Sequence, residues 1–275
     1  MQAFDKTEDW SQVLKIALMA CRRGREVLLQ HFGRLEHVEE KFHAGLVSEA
    51  DKESERVISQ FLKEHFPKTE FLGEESAFSG AKVQAGRGGP DGRWILDPLD
   101  GTTNYVHRFP IFCISLALEV NGDLKLGIID VPLLNETYVA IRGQGAFVNG
   151  RKISVSETGE LKSSLLSTGF FPDDIEALEE QLKIFSNLVR DCRGVRRPGA
   201  AAYDLCQVAR GVFDGFWEKN LKPWDVAAGQ ILVEEAGGIL KTYKGHAHDP
   251  YQTSVIASNK KLMPILLDRM KQTTK

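Results

Sequence analysis

One segment constrains the fold of this chain more than any other: it reads D-P-L-D-G-T-T-N and runs from Asp97 to Asn104. Proline restricts the residue before it to extended backbone, so Asp97 is predicted to end the strand 94–96. Gly101 permits a tight turn, and the polar residues after it favour a helix start with free N–H groups. The segment therefore predicts a metal-assisted phosphate site, although Asp-Pro and Asp-Gly are also ordinary turn dipeptides.

The length and charge of the chain exclude several classes of protein. With 275 residues, of which 42% are hydrophobic, it can bury a large core as one α/β domain or as two intimately packed halves. A formal net charge of −3 provides no overall basic field, which disfavours general binding to nucleic acid or to an anionic membrane.

The cysteines and the terminus indicate an intracellular protein. The four cysteines form no C-x-x-C pair, which argues against a zinc knuckle or a redox motif, and we expect buried, reduced thiols: Cys21, Cys113, Cys192 and Cys206. The polar segment 1–10 lacks the features of a secretory signal, and no apolar run is long enough to span a bilayer. We expect a cytoplasmic location.

The periodicity of apolar residues predicts alternating layers of helix and sheet. Helices are expected over 9–31 and 48–66, strands over 70–73, 93–97, 111–120, 125–131, 137–141 and 146–148, and an exposed loop over 79–92. After residue 163 we expect strands at 164–168, 193–197, 212–217, 238–243 and 253–257 and helices at 174–191, 199–210, 225–236 and 260–272. We predict a single domain over 1–275, whose halves 1–150 and 151–275 pack together.

Further carboxylates lie where the predicted elements begin or end. Asp51 and Asp225 lie near helix starts, where capping alone would explain them, and Glu74-Glu75 follows a strand, where it could be a solvated acidic edge. Carboxylate oxygens are nevertheless the ligands that Mg²⁺ prefers, and like charges presented together repel one another without a cation.

Three ordered motifs resemble the signatures of the inositol monophosphatase family. They are G-E-E-S at 73–76, D-P-L-D-G-T-T-N at 97–104, and P-W-D-V-A-A-G at 223–229 followed by E-A-G-G at 235–238. The resemblance implies an α/β fold of five layers, an α-β-α-β-α sandwich shared with fructose-1,6-bisphosphatase. It also implies Mg²⁺ dependence with two or three ions per site, sensitivity to lithium and a homodimer.

The same resemblance assigns the metal ligands. Glu74, Asp97 and the carbonyl of Leu99 would hold a first ion, and Asp97, Asp100 and Asp225 a second. Asp51 lies in a V-S-E-A-D segment similar to a family pattern, and it would help to hold a third, weaker ion. Glu75 has no ligand role in this assignment.

The remaining site residues are implied in the same way. The hydroxyl of Thr102, with Glu74, would orient and deprotonate the attacking water, while the N–H groups of Gly101 and Thr102 would bind phosphate. The substrate would also contact Asp100, Asp225, Glu218 and the segment Gly199, Ala200, Ala201 and Ala202. That last segment could equally be a closely packed helix start. His107 is not expected to be catalytic.

The resemblance implies a phosphatase acting on inositol-1-phosphate or a related small polyol or sugar phosphate, by direct attack of a metal-activated water without a phosphoenzyme. Fructose-1,6-bisphosphatase or NADP phosphatase activity is an alternative, in which Arg196, Arg197, Lys219 and Lys222 serve a second phosphate rather than form a solvated rim. A regulatory protein associated with the transcription machinery is another, in which Arg22, Arg23 and Arg25 contact a partner rather than solvent.

Overall fold

Helices and two large β-sheets alternate in the computed structural model of this chain, which describes residues 10–41, 45–78, 87–170 and 174–273. The helices are α1 (Trp10–His31), α2 (Glu49–His65), α3 (Glu74–Phe78), α4 (Thr102–Val106), α5 (Ile175–Val189), α6 (Ala201–Ala209), α7 (Pro223–Glu235) and α8 (Met263–Thr273). The first nine strands are β1 (Val38–Lys41), β2 (Gly45–Ser48), β3 (Glu70–Gly73), β4 (Arg93–Asp100), β5 (Cys113–Val120), β6 (Asp123–Val131), β7 (Glu136–Ile141), β8 (Gly145–Val148) and β9 (Arg151–Ile153). The last five are β10 (Leu165–Thr168), β11 (Gly194–Arg196), β12 (Gly215–Lys219), β13 (Ile239–Lys241) and β14 (Ser254–Ser258).

The strands form a hairpin and two sheets. The larger sheet has seven strands in the order β3-β4-β5-β6-β7-β8-β9, and only its β3–β4 pair is parallel. The smaller sheet has the order β11-β10-β12-β14-β13, with β10 parallel to both of its neighbours. Strands β1 and β2 pair with each other.

The layers follow the order α-β-α-β-α, as the family resemblance implied. Helices α1 and α2 cover one face of the seven-stranded sheet, α6 and α7 lie between the two sheets, and α5 and α8 cover the outer face of the smaller sheet. The middle layer buries Leu205 and Ile231 from the helices against Ile129 of one sheet and Phe216 of the other. Because this core draws on both halves of the chain, it supports the proposal that 1–275 is one domain.

The predicted elements are confirmed with shifted ends, and several elements were missed. The sequence analysis did not predict the β1–β2 hairpin, strand β9 or the short helix α3. Strand β12 begins at Gly215, three residues after the predicted start at 212. Of the predicted loop 79–92, residues 79–86 lie outside the described residues, and 87–92 contain no helix or strand.

The prediction that Asp97 ends its strand was wrong, because β4 continues to Asp100. The pairing of β4 with β5 shifts between Asp97 and Asp100, which marks an irregularity of the bulge type. Proline lacks an N–H donor and is tolerated in a strand where the ladder is interrupted, so Pro98 fits at this position. Both aspartates are therefore presented by one irregular strand end.

The cysteine prediction is confirmed for three of the four thiols. All four are free; Cys21, Cys113 and Cys206 are buried, but Cys192 is half-buried. No helix in the described ranges is both long and apolar enough to cross a membrane.

Candidate active site

The irregular end of β4 holds Asp97 against its own backbone. The backbone N–H of Leu99 donates to Asp97 Oδ1 at 2.9 Å, and the Asp97 side chain is only 2% exposed. This short loop of hydrogen bonding fixes the carboxylate beside the turn that follows. Gly101 provides that turn with a φ of 92°, and a Cβ there would lie 3.1 Å from the carbonyl of Ile111.

Asp100 connects β4 to the middle layer of helices. Its Oδ2 accepts a hydrogen bond of 2.7 Å from the backbone N–H of Ala202, in the first turn of α6. The thiol of Cys113, on the neighbouring strand β5, donates to the same oxygen over 3.7 Å. The start of α6 thus holds Asp100 through a backbone donor.

Two other elements bring carboxylates to the same place. Glu74 begins α3 directly after β3, the parallel neighbour of β4, so both strands present acidic residues at the same edge of the sheet. Asp225 lies in the first turn of α7, where its Oδ2 accepts the backbone N–H of Lys222 at 2.7 Å. The capping role considered for Asp225 is therefore real, and it coexists with a position at the cluster.

The pKa values of three of the four carboxylates reflect how close the four lie to one another. Burial raises the pKa of Asp97 well above its usual value, and the charges of Glu74, Asp100 and Asp225 raise it further. Burial also raises the pKa of Asp100 to about 7, against the lowering effect of the Ala202 N–H. The pKa of Asp225 rises to about 7, mainly through burial and additionally through the charge of Asp100, while the Lys222 N–H lowers it. We call these four residues the carboxylate cluster.

The donor chemistry of the carboxylate cluster fits Mg²⁺. Its members offer only hard oxygen ligands, and a divalent cation would relieve the repulsion that adds to the effect of burial on the pKa values of Asp97, Asp100 and Asp225. As the side chains lie, however, no three His, Cys, Asp or Glu residues in the described ranges already form a group that could hold a metal ion. The fit therefore rests on the kind and closeness of the donors rather than on a finished coordination shell.

Asp51 and Thr102 form a second part of the site. The Thr102 hydroxyl lies 3.0 Å from Asp51 Oδ1 and 3.1 Å from the carbonyl oxygen of Leu99, and it can donate its proton to either. Asp51 is fully buried, and its Oδ2 accepts from the N–H of Ser48 at 2.7 Å and from the Ser48 hydroxyl at 2.6 Å. Asp51 therefore both caps α2 and holds Thr102.

Glu218 lies on β12 and lines the same cavity as Glu74 and Asp225. Burial raises its pKa to about 8, and the charges of Asp225 and Asp100 raise it further, while Arg197 lowers it. Its carboxylate packs so closely on Gly169 that a Cβ at this glycine would displace it. Glu218 is thus near the carboxylate cluster, as the family resemblance implied.

The predicted substrate segment forms the loop before α6 and the start of that helix. Gly199 has a φ of 90°, and Ala200 and Ala201 are buried. The side-chain amide of Asn104 donates to the carbonyls of Pro198 at 2.8 Å and Ile111 at 2.7 Å. Asn104 was in the opening motif, but its role in holding this loop was not predicted.

A cavity of about 490 Å³ opens at the carboxylate cluster. Glu74, Glu218 and Asp225 line it together with Phe78 and Trp224, whose ring centroids are 6.1 Å apart. These two aromatic residues were missed by the sequence analysis, although Trp224 lies within one of its motifs. Lys219 and Lys222 also line the cavity, which therefore combines acidic, basic and aromatic walls and has the size of a small-molecule site.

Several other predicted residues have different surroundings. Lys219 forms an ion pair with Glu180, and an Arg197 Nη donates to the carbonyl of Phe170 over 3.4 Å. Arg196 and Lys222 are exposed, and Glu75 is half-buried beside Glu74.

The arginines on α1 are not simply solvated. Arg25 pairs with Asp130 at 3.1 Å and donates to Asn135 at 2.9 Å. The guanidinium of Arg23 lies 4.3 Å from the ring centroid of Phe61. Two of the three arginines considered for a partner are thus engaged within the chain.

Known proteins are similar to this chain over nearly its whole length. The model of the inositol monophosphatase family matches residues 9–275. The chain is 39% identical over 259 residues to "Nus factor SuhB" of Pseudomonas aeruginosa, covering 93% of this chain and 94% of that protein. It is 37% identical over 268 residues to "Fructose-1,6-bisphosphatase/inositol-1-monophosphatase" of Aquifex aeolicus, covering 96% and 97%.

Solved structures are also similar to most of the chain. The extragenic suppressor protein suhB of Bartonella henselae has a TM-score of 0.86 at 34% identity, covering 95% of this chain and 99% of that one. An IMPase/NADP phosphatase complexed with Mg²⁺ and phosphate has a TM-score of 0.82 at 28% identity, covering 95% and 96%.

Proposed function

Because this chain belongs to the inositol monophosphatase family of metal-dependent phosphatases, we propose that it hydrolyses inositol-1-phosphate or a related small polyol or sugar phosphate with Mg²⁺ as its cofactor. The observation that carries the proposal is the carboxylate cluster, in which neighbouring charges add to the effect of burial in raising the pKa of Asp97, beside a cavity of small-molecule size. Such a concentration of negative charge needs a cation before it can accept a phosphate ester.

In this proposal, two or three Mg²⁺ ions bind per site. Glu74, Asp97 and the Leu99 carbonyl hold one ion, Asp97, Asp100 and Asp225 hold another, and Asp51 assists a weaker third. Bound there, the ions supply charge neutralisation for the phosphate and a lowered pKa for the attacking water. The family's inhibition by lithium and its homodimeric state are extended to this chain as part of the same proposal.

The chain's own residues direct the water and its proton. When the Thr102 hydroxyl donates to Asp51 Oδ1, its oxygen can accept a hydrogen bond from the water. Asp51 then lies next in line to receive the proton, while Glu74 orients the water together with Thr102. The backbone N–H groups of Gly101 and Thr102 bind phosphate oxygens at the tight turn.

The remaining contacts suit an uncharged polyol. Glu218 and Asp100 offer oxygens to ring hydroxyls, and Gly199, Ala200 and Ala201 allow the ring to approach the backbone closely. Of the cations that could serve a second phosphate, Lys219 is already paired with Glu180. Lys222, however, is exposed and also lines the cavity, so the substrate panel has to decide between a monophosphate and a bisphosphate.

A substrate panel tests the proposal. Purified protein with Mg²⁺ is assayed for phosphate release from inositol-1-phosphate, fructose-1,6-bisphosphate and NADP, with Asp97→Asn as the control. Preferential turnover of inositol-1-phosphate that disappears in the variant supports the proposal. Turnover confined to fructose-1,6-bisphosphate or NADP would mean that the proposed substrate is wrong. Inactivity on all three would count against the proposal.

A regulatory function is the second candidate, because the relative from Pseudomonas aeruginosa is named a Nus factor. In this alternative the chain associates with the transcription machinery, and hydrolysis is secondary. A strain carrying Asp97→Asn in place of the wild type separates the two. Loss of the wild-type phenotype favours phosphatase activity, whereas an intact phenotype favours a binding role.

A further inference from the structure

One aromatic side chain shares a helix face with the acid Glu74. Helix α3 begins at Glu74 and ends at Phe78, and residues four positions apart lie on the same face of an α-helix. Both residues line the cavity of about 490 Å³ beside the carboxylate cluster. The ring of Phe78 therefore lies about one helical turn from an acid to which the proposed function assigns a metal ion and the attacking water.

Phe78 faces the cavity and not the core. It is 46% exposed, whereas the preceding residue, Ala77, packs against the hydrophobic core between the two sheets. Sites for small molecules are typically lined by apolar and aromatic side chains together with a few polar groups that fix the ligand. The exposed ring of Phe78 thus gives the cavity an apolar wall that a ligand can reach.

Trp224 supports the ring of Phe78. The two ring centroids are 6.1 Å apart and the ring planes lie at 71°, an edge-to-face arrangement that is favourable for aromatic pairs. Trp224 itself is only 8% exposed, and its carbonyl accepts a hydrogen bond of 2.9 Å from the buried hydroxyl of Ser115 on β5. The ring of Phe78 is therefore held by a residue that the larger sheet holds in turn.

Other walls of the cavity are polar. Glu218 and Lys222 line it, and each can form a hydrogen bond with a hydroxyl group. Asn220 also lines it, and its side-chain amide donates to Asp174 Oδ2 at 2.7 Å. The cavity thus suits a ligand that has an apolar face and a hydroxylated edge.

A cyclic polyol has both kinds of surface. The hydroxyl groups of a six-membered polyol ring extend around its edge, and C–H groups cover its faces. These C–H groups can pack on the negative face of an aromatic ring. A short acyclic polyol such as glycerol has no comparable face.

From these observations we propose that Phe78 is a specificity-determining residue, whose ring packs on one face of the substrate's ring and so favours phosphates of cyclic polyols over those of short acyclic ones. This inference rests on the proposed function, because it concerns the substrate of the same site. Glu218 and Lys222 bind hydroxyl groups at the edge of the substrate's ring, and Trp224 keeps Phe78 in place.

Steady-state kinetics with a cyclic and an acyclic substrate test this role. The purified full-length protein with Mg²⁺ is assayed on inositol-1-phosphate and on glycerol-2-phosphate. Phe78→Ala should raise the KM for inositol-1-phosphate by about three- to tenfold, the range of one aromatic packing contact, with little change in kcat. The KM for glycerol-2-phosphate should rise by less than about twofold, because no ring contact is lost. Phe78→Tyr keeps the ring and should retain most of the affinity for inositol-1-phosphate.

The two substrates distinguish a contact with the substrate from a structural effect. Since α3 also carries Glu74, a variant that merely displaced this helix would weaken both substrates alike. Phe78→Leu keeps an apolar side chain of similar size and should show the same selective rise in KM, so it tests the ring even if Phe78→Ala fails to fold. The control is Leu134→Ala, at an exposed position outside the cavity, which should leave both KM values unchanged.

The results separate this inference from the proposed function. If the wild type is active, equal rises in the two KM values, or an unchanged KM for inositol-1-phosphate in Phe78→Ala and Phe78→Leu, would overturn the role of Phe78 and leave the phosphatase activity in place. Inactivity of the wild type on both substrates would instead refute the proposed function, and this inference with it.

Discussion

Glu55 is predicted to position Glu74, the first acid of the carboxylate cluster, and Glu55→Gln tests this. The Glu55 carboxylate is 5% exposed and accepts the backbone N–H groups of Glu75 and Ser76, each at 2.9 Å, as well as the Ser76 hydroxyl. Gly73 leaves room for it, since a Cβ there would overlap the carboxylate. The start of α3, which carries Glu74, is therefore held by one buried side chain.

The magnitude follows from these hydrogen bonds. Glutamine keeps one acceptor but turns an NH₂ group toward a donor, so about one charge-assisted hydrogen bond is lost and one N–H is left unpaired. We expect the free energy of unfolding to fall by about 2–3 kcal/mol. Residues that support metal ligands typically change metal affinity or activity by about 10- to 100-fold, and we expect a similar loss of Mg²⁺ affinity.

The assay combines urea unfolding with phosphate release as a function of Mg²⁺ concentration at pH 8. This pH is chosen because burial raises the pKa of Glu55, and the three donors need its ionised form. Glu53→Gln, two residues earlier on the same helix and more exposed, is the control and should change the Mg²⁺ dependence little. If Glu55→Gln loses stability with an unchanged Mg²⁺ dependence, the positioning argument is refuted.

Three further predictions concern pH, packing and metal. Burial lowers the pKa of His248 to about 4, below the value of about 6.5 in unfolded chains, so the unfolded state binds more protons as the pH falls through this window. Stability should decline there by up to about 1.4 kcal/mol per pH unit, and His248→Gln should flatten this slope in urea unfolding. A Cβ on Gly127 would lie 2.5 Å from Ile231 Cγ2, so Gly127→Ala should lower the free energy of unfolding by about 1–3 kcal/mol. An unchanged free energy of unfolding in this variant would contradict the close packing of Gly127 on Ile231. Mg²⁺ should raise the melting temperature more at pH 8 than at pH 6, because Asp225, with a pKa of about 7, is ionised more fully at pH 8. Asp225→Asn should reduce this rise. An equal rise in the variant and the wild type would exclude Asp225 as a ligand.

The order of the elements could be predicted because their apolar periodicity is strong and their ends carry turn residues. Helix α2 ends at His65, one residue before its predicted end at 66, and the strands of the larger sheet differ from their predicted ends by only a few residues. The continuation of β4 past Pro98 could not be predicted, because a local rule for proline says nothing about an interrupted ladder. The hairpin β1–β2 was missed because its short strands lack a clear alternation of apolar residues.

The motif residues of the candidate site could be predicted, but the residues that hold them in position could not. Asp97, Asp100 and Asp225 stood out as acids at element ends, and the structure brings them together. The role of Glu55 depends on α2 approaching the end of β3, which no local pattern encodes. Likewise, Arg25 pairs with Asp130, 105 residues away along the chain. The residues near Arg25 in the sequence give no sign of this partner, so Arg25 looks like a surface charge.

The central claim is that the carboxylate cluster binds Mg²⁺ and thereby enables hydrolysis, and the adjacent acids Glu74 and Glu75 allow its most direct test. Phosphate release from inositol-1-phosphate is measured against Mg²⁺ concentration for the wild type, Glu74→Gln and Glu75→Gln. We predict that Glu74→Gln lowers the rate of phosphate release by about 100-fold or more and weakens the binding of Mg²⁺. Glu75→Gln should behave nearly like the wild type in both respects. Equal activity and Mg²⁺ dependence in Glu74→Gln and the wild type would contradict the claim.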